Sequence, residues 1–79
     1  MKELLTFLVE NLVKNPDNVV VEEKPGVTGE TLLELSVNPE DMGLVIGKGG
    51  KVIKAIRNLV RVKAILENKR VNVVLIEQN

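Results

Sequence analysis

A chain of 79 residues, 44% of them apolar, can build one small hydrophobic core, and this length excludes two independently folding domains. It contains no Cys, His, Trp or Tyr, which excludes disulfides, thiolate and imidazole chemistry, and the common nitrogen and sulfur ligands of zinc. Its 11 basic and 11 acidic residues give a net charge of zero, which by itself argues against a nucleic-acid partner.

We expect neither a signal peptide nor a membrane-spanning segment in this chain. Its apolar stretches are too short to span a bilayer, and the segment from Met1 to Val13 carries Glu3 and Glu10 where a signal peptide has an uncharged centre. We therefore expect a soluble, cytoplasmic protein with no metal and no cofactor.

The first segment has the period of a helix. Apolar residues recur from Leu4 to Val13 at a spacing of about 3.6, so we predict an amphipathic helix that ends near Asn15 and Pro16. Phe7 is the only aromatic residue of the chain, and its place in this helix predicts that it packs in the core.

Two strands follow in a hairpin. The segments 18–23 and 31–37 are rich in β-branched or alternating apolar residues, and the segment 24–30 between them has Pro and Gly in the pattern of a turn. We expect Leu33, Leu35 and Val37 to form the buried face that sets the register.

A short helix is predicted next. Asn38 has the character of an N-cap, Pro39 suits the first helical position, and Glu40 and Asp41 place negative charge at the positive end of the helix. Only about two turns fit before Gly47.

The last elements are a long helix over 51–66 and a strand from Val71 to Ile76. Both faces of this strand are largely apolar, which predicts a central or well-covered position in the sheet. The element order predicts an α+β fold in which three strands are covered on one face by three helices, and the two-helix crossover allows the second and third strands to run parallel.

The charge is strongly polarised along the chain. From Met1 to Gly47 there are three basic and nine acidic residues, a net charge of −6, whereas from Lys48 to Arg70 there are eight basic and one acidic, a net charge of +7. Taken alone, such a run is typical of a solvated helix face. Here, however, it begins at a glycine-rich loop.

That loop, Gly47-Lys48-Gly49-Gly50, lies between the two predicted helices. A tight helix–helix turn with Gly47 as the C-cap is one interpretation. The other is an anion site, because glycine lets a sugar–phosphate backbone approach closely, and a helix N-terminus with Lys48 and Lys51 attracts phosphate. The spacing fits neither a Walker loop nor a dinucleotide fingerprint, which would need Gly where Val52 stands.

The stretch from Val45 to Ile53 resembles the Val-Ile-Gly-x-x-Gly-x-x-Ile core of the KH domain, whose GXXG loop clamps about four nucleotides. With the element order, the whole chain (1–79) resembles a single KH domain of the bacterial type II arrangement, and its length is similar to that of the KhpA family. The resemblance implies a groove made by the two helices beside the loop, the second strand and the variable loop 24–30. The residues that it places in RNA binding are Leu44, Ile46, Gly47, Lys48, Gly49, Gly50, Lys51 and Lys54.

Two points of this assignment stay open in the sequence. Ile53 suits core packing better than the groove floor. Arg57 and Arg61 continue the basic stripe of Lys54, but a helix of sixteen residues is about 24 Å long, so they need not all face the RNA.

The lack of an aromatic stacking platform argues against RRM-type and OB-type folds and predicts weak binding by one module. Useful affinity then requires a second copy or a partner. The resemblance to the KhpA family implies a homodimer, a heterodimer with a KhpB-like protein, or both, and a role as an RNA chaperone or post-transcriptional regulator.

Two rival functions are weaker. A protein-interaction or dimerisation module without RNA binding explains the neutral charge but not the glycines and lysines at the helix start. An enzyme would have to rely on carboxylates such as Glu40 and Asp41, which lie where helix caps are needed, so we predict no catalysis.

Overall fold

The computed structural model describes residues 1–77, and in that range the elements follow the predicted order. Three 3₁₀ turns, Pro16–Asn18, Pro39–Asp41 and Lys48–Gly50, accompany three helices and three strands. The helices and strands are α1 (Lys2–Glu10), β1 (Val20–Pro25), β2 (Thr31–Ser36), α2 (Met42–Ile46), α3 (Lys51–Leu66) and β3 (Val71–Leu75).

The sheet has the order β1-β2-β3, with β2 antiparallel to β1 and parallel to β3. The predicted α+β fold with a mixed sheet covered on one face by helices is confirmed. The position predicted for the last strand is wrong: β3 lies at the edge, and Val74 is 37% exposed on the face that no helix covers. Only the face of β3 that carries Val71 and Val73 is buried. A strand with apolar residues on both faces can therefore still leave one face exposed to solvent.

The hairpin of β1 and β2 has the predicted register. Leu33, Leu35 and Val37 are buried under the helices. Both bounds of β1 lie two residues later than predicted, so the turn is shorter and closes where the Gly26 N–H donates to the Glu30 carbonyl at 2.7 Å.

Helix α1 packs on the sheet through Leu5 and Val9, which are fully buried. The prediction that Phe7 lies in the core is wrong, since Phe7 is 63% exposed. Two residues correspond to about 200° around a helix, so burial of Leu5 and Val9 turns Phe7 toward solvent. The helix also ends earlier than predicted, at Glu10.

Asn38 acts as the predicted cap, because its side-chain oxygen accepts the Glu40 N–H at 2.9 Å. Asp41 has a different role from the one expected. It is fully buried and accepts the backbone N–H groups of Lys14 (3.1 Å) and Asn15 (3.0 Å) and the Asn15 side-chain amide (3.1 Å).

These contacts determine the charge state of Asp41. Burial alone raises the pKa of this carboxyl, but the three donors, with the Lys14 ammonium, hold the pKa below its ordinary value of 3.8. The carboxylate thereby ties the start of α2 to the segment after α1.

Within residues 1–77 no helix is both long enough and apolar enough to cross a membrane.

Candidate nucleic-acid interface

The glycine loop has a backbone that only glycine adopts easily. Gly47 has φ 74° and ψ 170°, and Gly49 (φ 63°) and Gly50 (φ 78°) are left-handed. The Gly47 N–H donates to the Gly43 carbonyl at 2.9 Å and closes α2, while the Gly50 N–H donates to the Gly47 carbonyl at 3.1 Å. The conformation of this loop therefore depends on positive φ angles at three glycines.

The three glycines differ in what surrounds them. A Cβ on Gly47 would lie 2.3 Å from Cγ2 of Val52 and 2.9 Å from its backbone nitrogen, so this glycine serves the packing of the loop itself. A Cβ on Gly49 or Gly50 would meet nothing within 4 Å. The open approach to the loop is thus over Gly49 and Gly50.

Three exposed lysines surround this approach: Lys48 at the tip of the loop, Lys51 at the first position of α3 and Lys54 one turn later. Among the ion pairs of residues 1–77, none engages these lysines. Because α3 is sixteen residues long, its positive end adds to their field. The loop is therefore a cationic surface with room for an anionic backbone.

The apolar residues beside the loop divide into two classes. Leu44 is 39% exposed and Ile46 is half-buried, so both present apolar surface beside the loop. Val45 and Ile53 are buried in the core, as expected for Ile53.

Helix α3 has two chemically different flanks. Lys54, Arg57 and Arg61, spaced three and four residues apart, form the basic flank. Arg57 donates from Nε to the Val73 carbonyl at 3.2 Å, which places this flank beside the edge strand β3. The sequence left the role of Arg57 open. Its hydrogen-bond partner lies sixteen residues away, so no pattern in the neighbouring residues indicates the contact.

The opposite flank of α3 is apolar and faces α1. Between the two helices runs a groove of about 410 Å³. Its lining residues include Leu8, Leu12, Val52, Ala55, Ile56 and Leu59.

The other predicted walls of the RNA groove are not next to the loop. Leu33 and Leu35 of β2 are fully buried, so the strand accessible beside α3 is the edge strand β3 rather than β2. The variable loop packs at the far end of α3, where the Arg70 guanidinium donates to the Thr28 carbonyl and the Thr31 N–H donates to the Arg70 carbonyl at 2.9 Å. The length of α3, about 24 Å, separates it from the glycine loop.

Comparison with known proteins gives consistent matches over almost the whole chain. The model of the family described as KhpA/KhpB, KH domain, matches residues 2–75. The RNA-binding protein KhpA of Clostridium acetobutylicum is 53% identical over 78 residues, which cover 96% of this chain and 100% of the relative. KhpA of Clostridium perfringens is 51% identical with the same coverage, and KhpA of Chlamydia pneumoniae is 42% identical with 99% of each chain covered.

Solved structures support the fold. A crystal structure of Aquifex aeolicus Era bound to GDP and AlF4⁻ aligns with a TM-score of 0.62 and 22% identity, covering 94% of this chain and 28% of that one. Era in complex with MgGDPNP and nucleotides 1506–1542 of 16S ribosomal RNA aligns with a TM-score of 0.58 at the same identity and coverage. The chain spans little more than a quarter of the length of Era, and at this identity the likeness shows the fold alone.

Proposed function

The chain belongs to the KhpA/KhpB family of KH domains, and from this premise we propose that it binds single-stranded RNA, with the loop Gly47–Gly50 holding the sugar–phosphate backbone. Relatives named RNA-binding proteins match it over nearly its full length. Membership of this family also agrees with the prediction that the chain is not an enzyme. We propose further that residues 1–79 act as one KH domain.

The observation that carries the proposal is the open space over Gly49 and Gly50 beside Lys48 and Lys51. A nucleotide backbone can approach the left-handed glycines without meeting a side chain. The two ammonium groups and the positive end of α3 then stabilise its phosphates. Gly47 contributes indirectly, since its lack of a Cβ allows Val52 to pack under the loop.

Next to the clamped backbone, Leu44 and Ile46 supply aliphatic contact for unpaired bases, and Lys54 supplies a further phosphate contact. Aliphatic contact gives less affinity than aromatic stacking and little base selection. Weak, reversible binding of this kind suits an RNA chaperone or post-transcriptional regulator.

The experiment is fluorescence anisotropy with a short single-stranded RNA, comparing wild type with the double variant Lys48→Asp, Gly49→Asp. The matched control is Lys48→Asn, Gly49→Asn, which has the same side-chain shapes without the two negative charges. Asn and Asp both tolerate the left-handed conformation at position 49 better than most residues do.

We expect the Asp variant to lose binding and the Asn variant to retain part of it, with both folded by circular dichroism. Wild-type affinity should also fall steeply with added salt. Binding of the folded Asp variant at wild-type affinity would overturn the assignment of the loop. Failure of wild type to bind RNA would favour the rival function, a protein-interaction module.

We propose that the chain also forms a homodimer through an exposed apolar seam on α3. The seam residues are spaced alternately by three and four: Val52, Ala55, Leu59, Val62 and Leu66. This is the spacing with which helices pair. Three of these apolar side chains are largely exposed to solvent: Leu59 (54%), Val62 (56%) and Leu66 (78%).

A second copy fits the seam because the seam is self-complementary. If two α3 helices pack antiparallel about Leu59, the seam places Val52 opposite Leu66 and small Ala55 opposite Val62. A heterodimer with a KhpB-like partner would use the same face. Two linked RNA sites would then add avidity to weak single modules.

Analytical ultracentrifugation tests this pairing. We expect Leu59→Glu to give a folded monomer, because it would place two carboxylates against each other in the middle of an apolar seam, while Val74→Glu on the open sheet face leaves the dimer intact. A monomeric wild type, or a dimer that survives Leu59→Glu, would contradict the proposal.

A further inference from the structure

A second cationic site lies at the end of α3 opposite the glycine loop. A pocket of about 270 Å³ is formed there by the last turns of α3, the connection to β3 and the end of the hairpin loop. Its walls include Arg61, Lys69, Arg70, Glu30 and the apolar Ile65. We call this site the distal basic pocket.

The charge of the distal basic pocket is positive. Three cationic side chains line it against the single carboxylate of Glu30. That carboxylate accepts both the hydroxyl and the N–H of Thr28, which lower the pKa of Glu30, so it stays ionised and turned toward the hairpin loop. An anion in the pocket would therefore meet a surplus of positive charge.

The three cations differ in how far they are already engaged. Arg70 donates to the Thr28 carbonyl and helps to hold the loop. Lys69 lies 3.5 Å from a Glu67 carboxylate oxygen, but that carboxylate is shared with Lys63 at 3.0 Å. Within residues 1–77, Arg61 takes part in no ion pair and its side chain is exposed.

The distal basic pocket is continuous with the RNA site along one flank of α3. From Lys54 the basic flank passes through Arg57, which is fixed on β3, to Arg61 at the pocket. The glycine loop, which precedes α3, and the last turn of α3, which lines the pocket, are about 24 Å apart, the length of the helix. A single strand stacked at about 3.4 Å per nucleotide covers this distance with about seven nucleotides.

We propose that the distal basic pocket binds a backbone phosphate of the same RNA strand that the glycine loop clamps, so that the full footprint is about eleven nucleotides rather than four. This inference rests on the proposed function of the loop. It identifies Arg61 and Lys69 as contacts for long RNAs only.

The test compares two single-stranded RNAs, one of about four nucleotides and one of about twelve, by anisotropy over a series of salt concentrations. The variants are Arg61→Gln and Lys69→Gln. The matched control is Lys63→Gln, which removes the same charge two residues from Arg61 on a different side of α3.

We expect each pocket variant to weaken binding of the long RNA about two- to fivefold and to leave the short RNA unchanged. The slope of log affinity against log salt for the long RNA should become shallower by about 0.7 for each phosphate contact removed. Lys63→Gln leaves Glu67 paired with Lys69 alone, so it should weaken binding of the long RNA less than either pocket variant does and leave the affinity for the short RNA unchanged.

Equal effects of Arg61→Gln and Lys63→Gln, or equal losses on both RNA lengths, would overturn the second site. Failure of the loop is a separate result, because it appears as wild-type affinity of the Lys48→Asp, Gly49→Asp variant for the short RNA. If wild type binds neither RNA, both proposals are wrong.

Discussion

Gly47 and Val52 are in such close contact that a single methyl group at Gly47 would overlap the Val52 side chain, with 2.3 Å between the added Cβ and Cγ2. Packing against Val52 therefore requires glycine at position 47, the first residue of the GXXG loop. A Cβ on Gly49 or Gly50 would instead extend into open space. Within one motif, glycine serves internal packing at one position and access at the others.

This difference gives the first prediction. Gly47→Ala should lower the free energy of unfolding by about 2–4 kcal/mol, because the substitution adds a steric overlap to a strained backbone. Gly49→Ala should cost only about 1–2 kcal/mol, the penalty of the left-handed conformation in open space. Urea denaturation of both variants measures the two values.

A double variant checks the cause. Adding Val52→Ala to Gly47→Ala removes the nearest clashing atom but leaves the backbone nitrogen of residue 52 at 2.9 Å, so we expect a partial rescue. Equal destabilisation by Gly47→Ala and Gly49→Ala, with no rescue, would show that the contact has no energetic role.

The second prediction concerns Asp41 and pH. Its folded pKa is lowered, so its contribution to stability is complete above the ordinary value of 3.8 and is lost as the pH falls through the lower folded value. Asp41→Asn should lower Tm at pH 7 by roughly 10 °C, because an amide offers one acceptor and a misplaced donor where the carboxylate accepts from three partly buried donors.

The pH profile separates this linkage from a general loss of packing. Wild type should lose more stability than Asp41→Asn between pH 5 and pH 2, because only wild type protonates this carboxyl in that range. Parallel profiles for the two proteins would contradict the assignment.

The third prediction concerns the two sides of α1. Phe7→Ser should change the free energy of unfolding by less than about 0.5 kcal/mol, since the ring is mostly exposed. Leu5→Ala should cost about 2–5 kcal/mol, because Leu5 is fully buried. Thermal denaturation at low protein concentration measures the stability of both variants. A large loss of stability in Phe7→Ser would contradict the exposed position of the ring.

The sequence predicts well what depends on local chemistry. The bounds of α3, the capping by Asn38 and the position of the glycine loop follow from periodicity, an N-cap and backbone freedom, each of which acts within a few residues. The buried face of Leu33, Leu35 and Val37 follows from strand alternation in the same way.

The features that the sequence mispredicts or leaves open depend on contacts between distant segments. In α1, five of the nine residues are apolar and cover more than half of the helix, so the period alone does not decide which side Phe7 occupies. The contacts of Asp41 with Lys14 and Asn15, and of Arg57 with Val73, link residues at least sixteen positions apart. No local pattern encodes the partners in such pairs.

The most direct measurement of the central claim is titration of ¹⁵N-labelled protein with a short single-stranded RNA, followed by amide chemical shifts. We expect the largest changes on residues 47–51, extending to Lys54, at the open approach over Gly49 and Gly50. Changes centred instead on the uncovered face of the sheet around Val74, with the glycine loop unaffected, would contradict the claim.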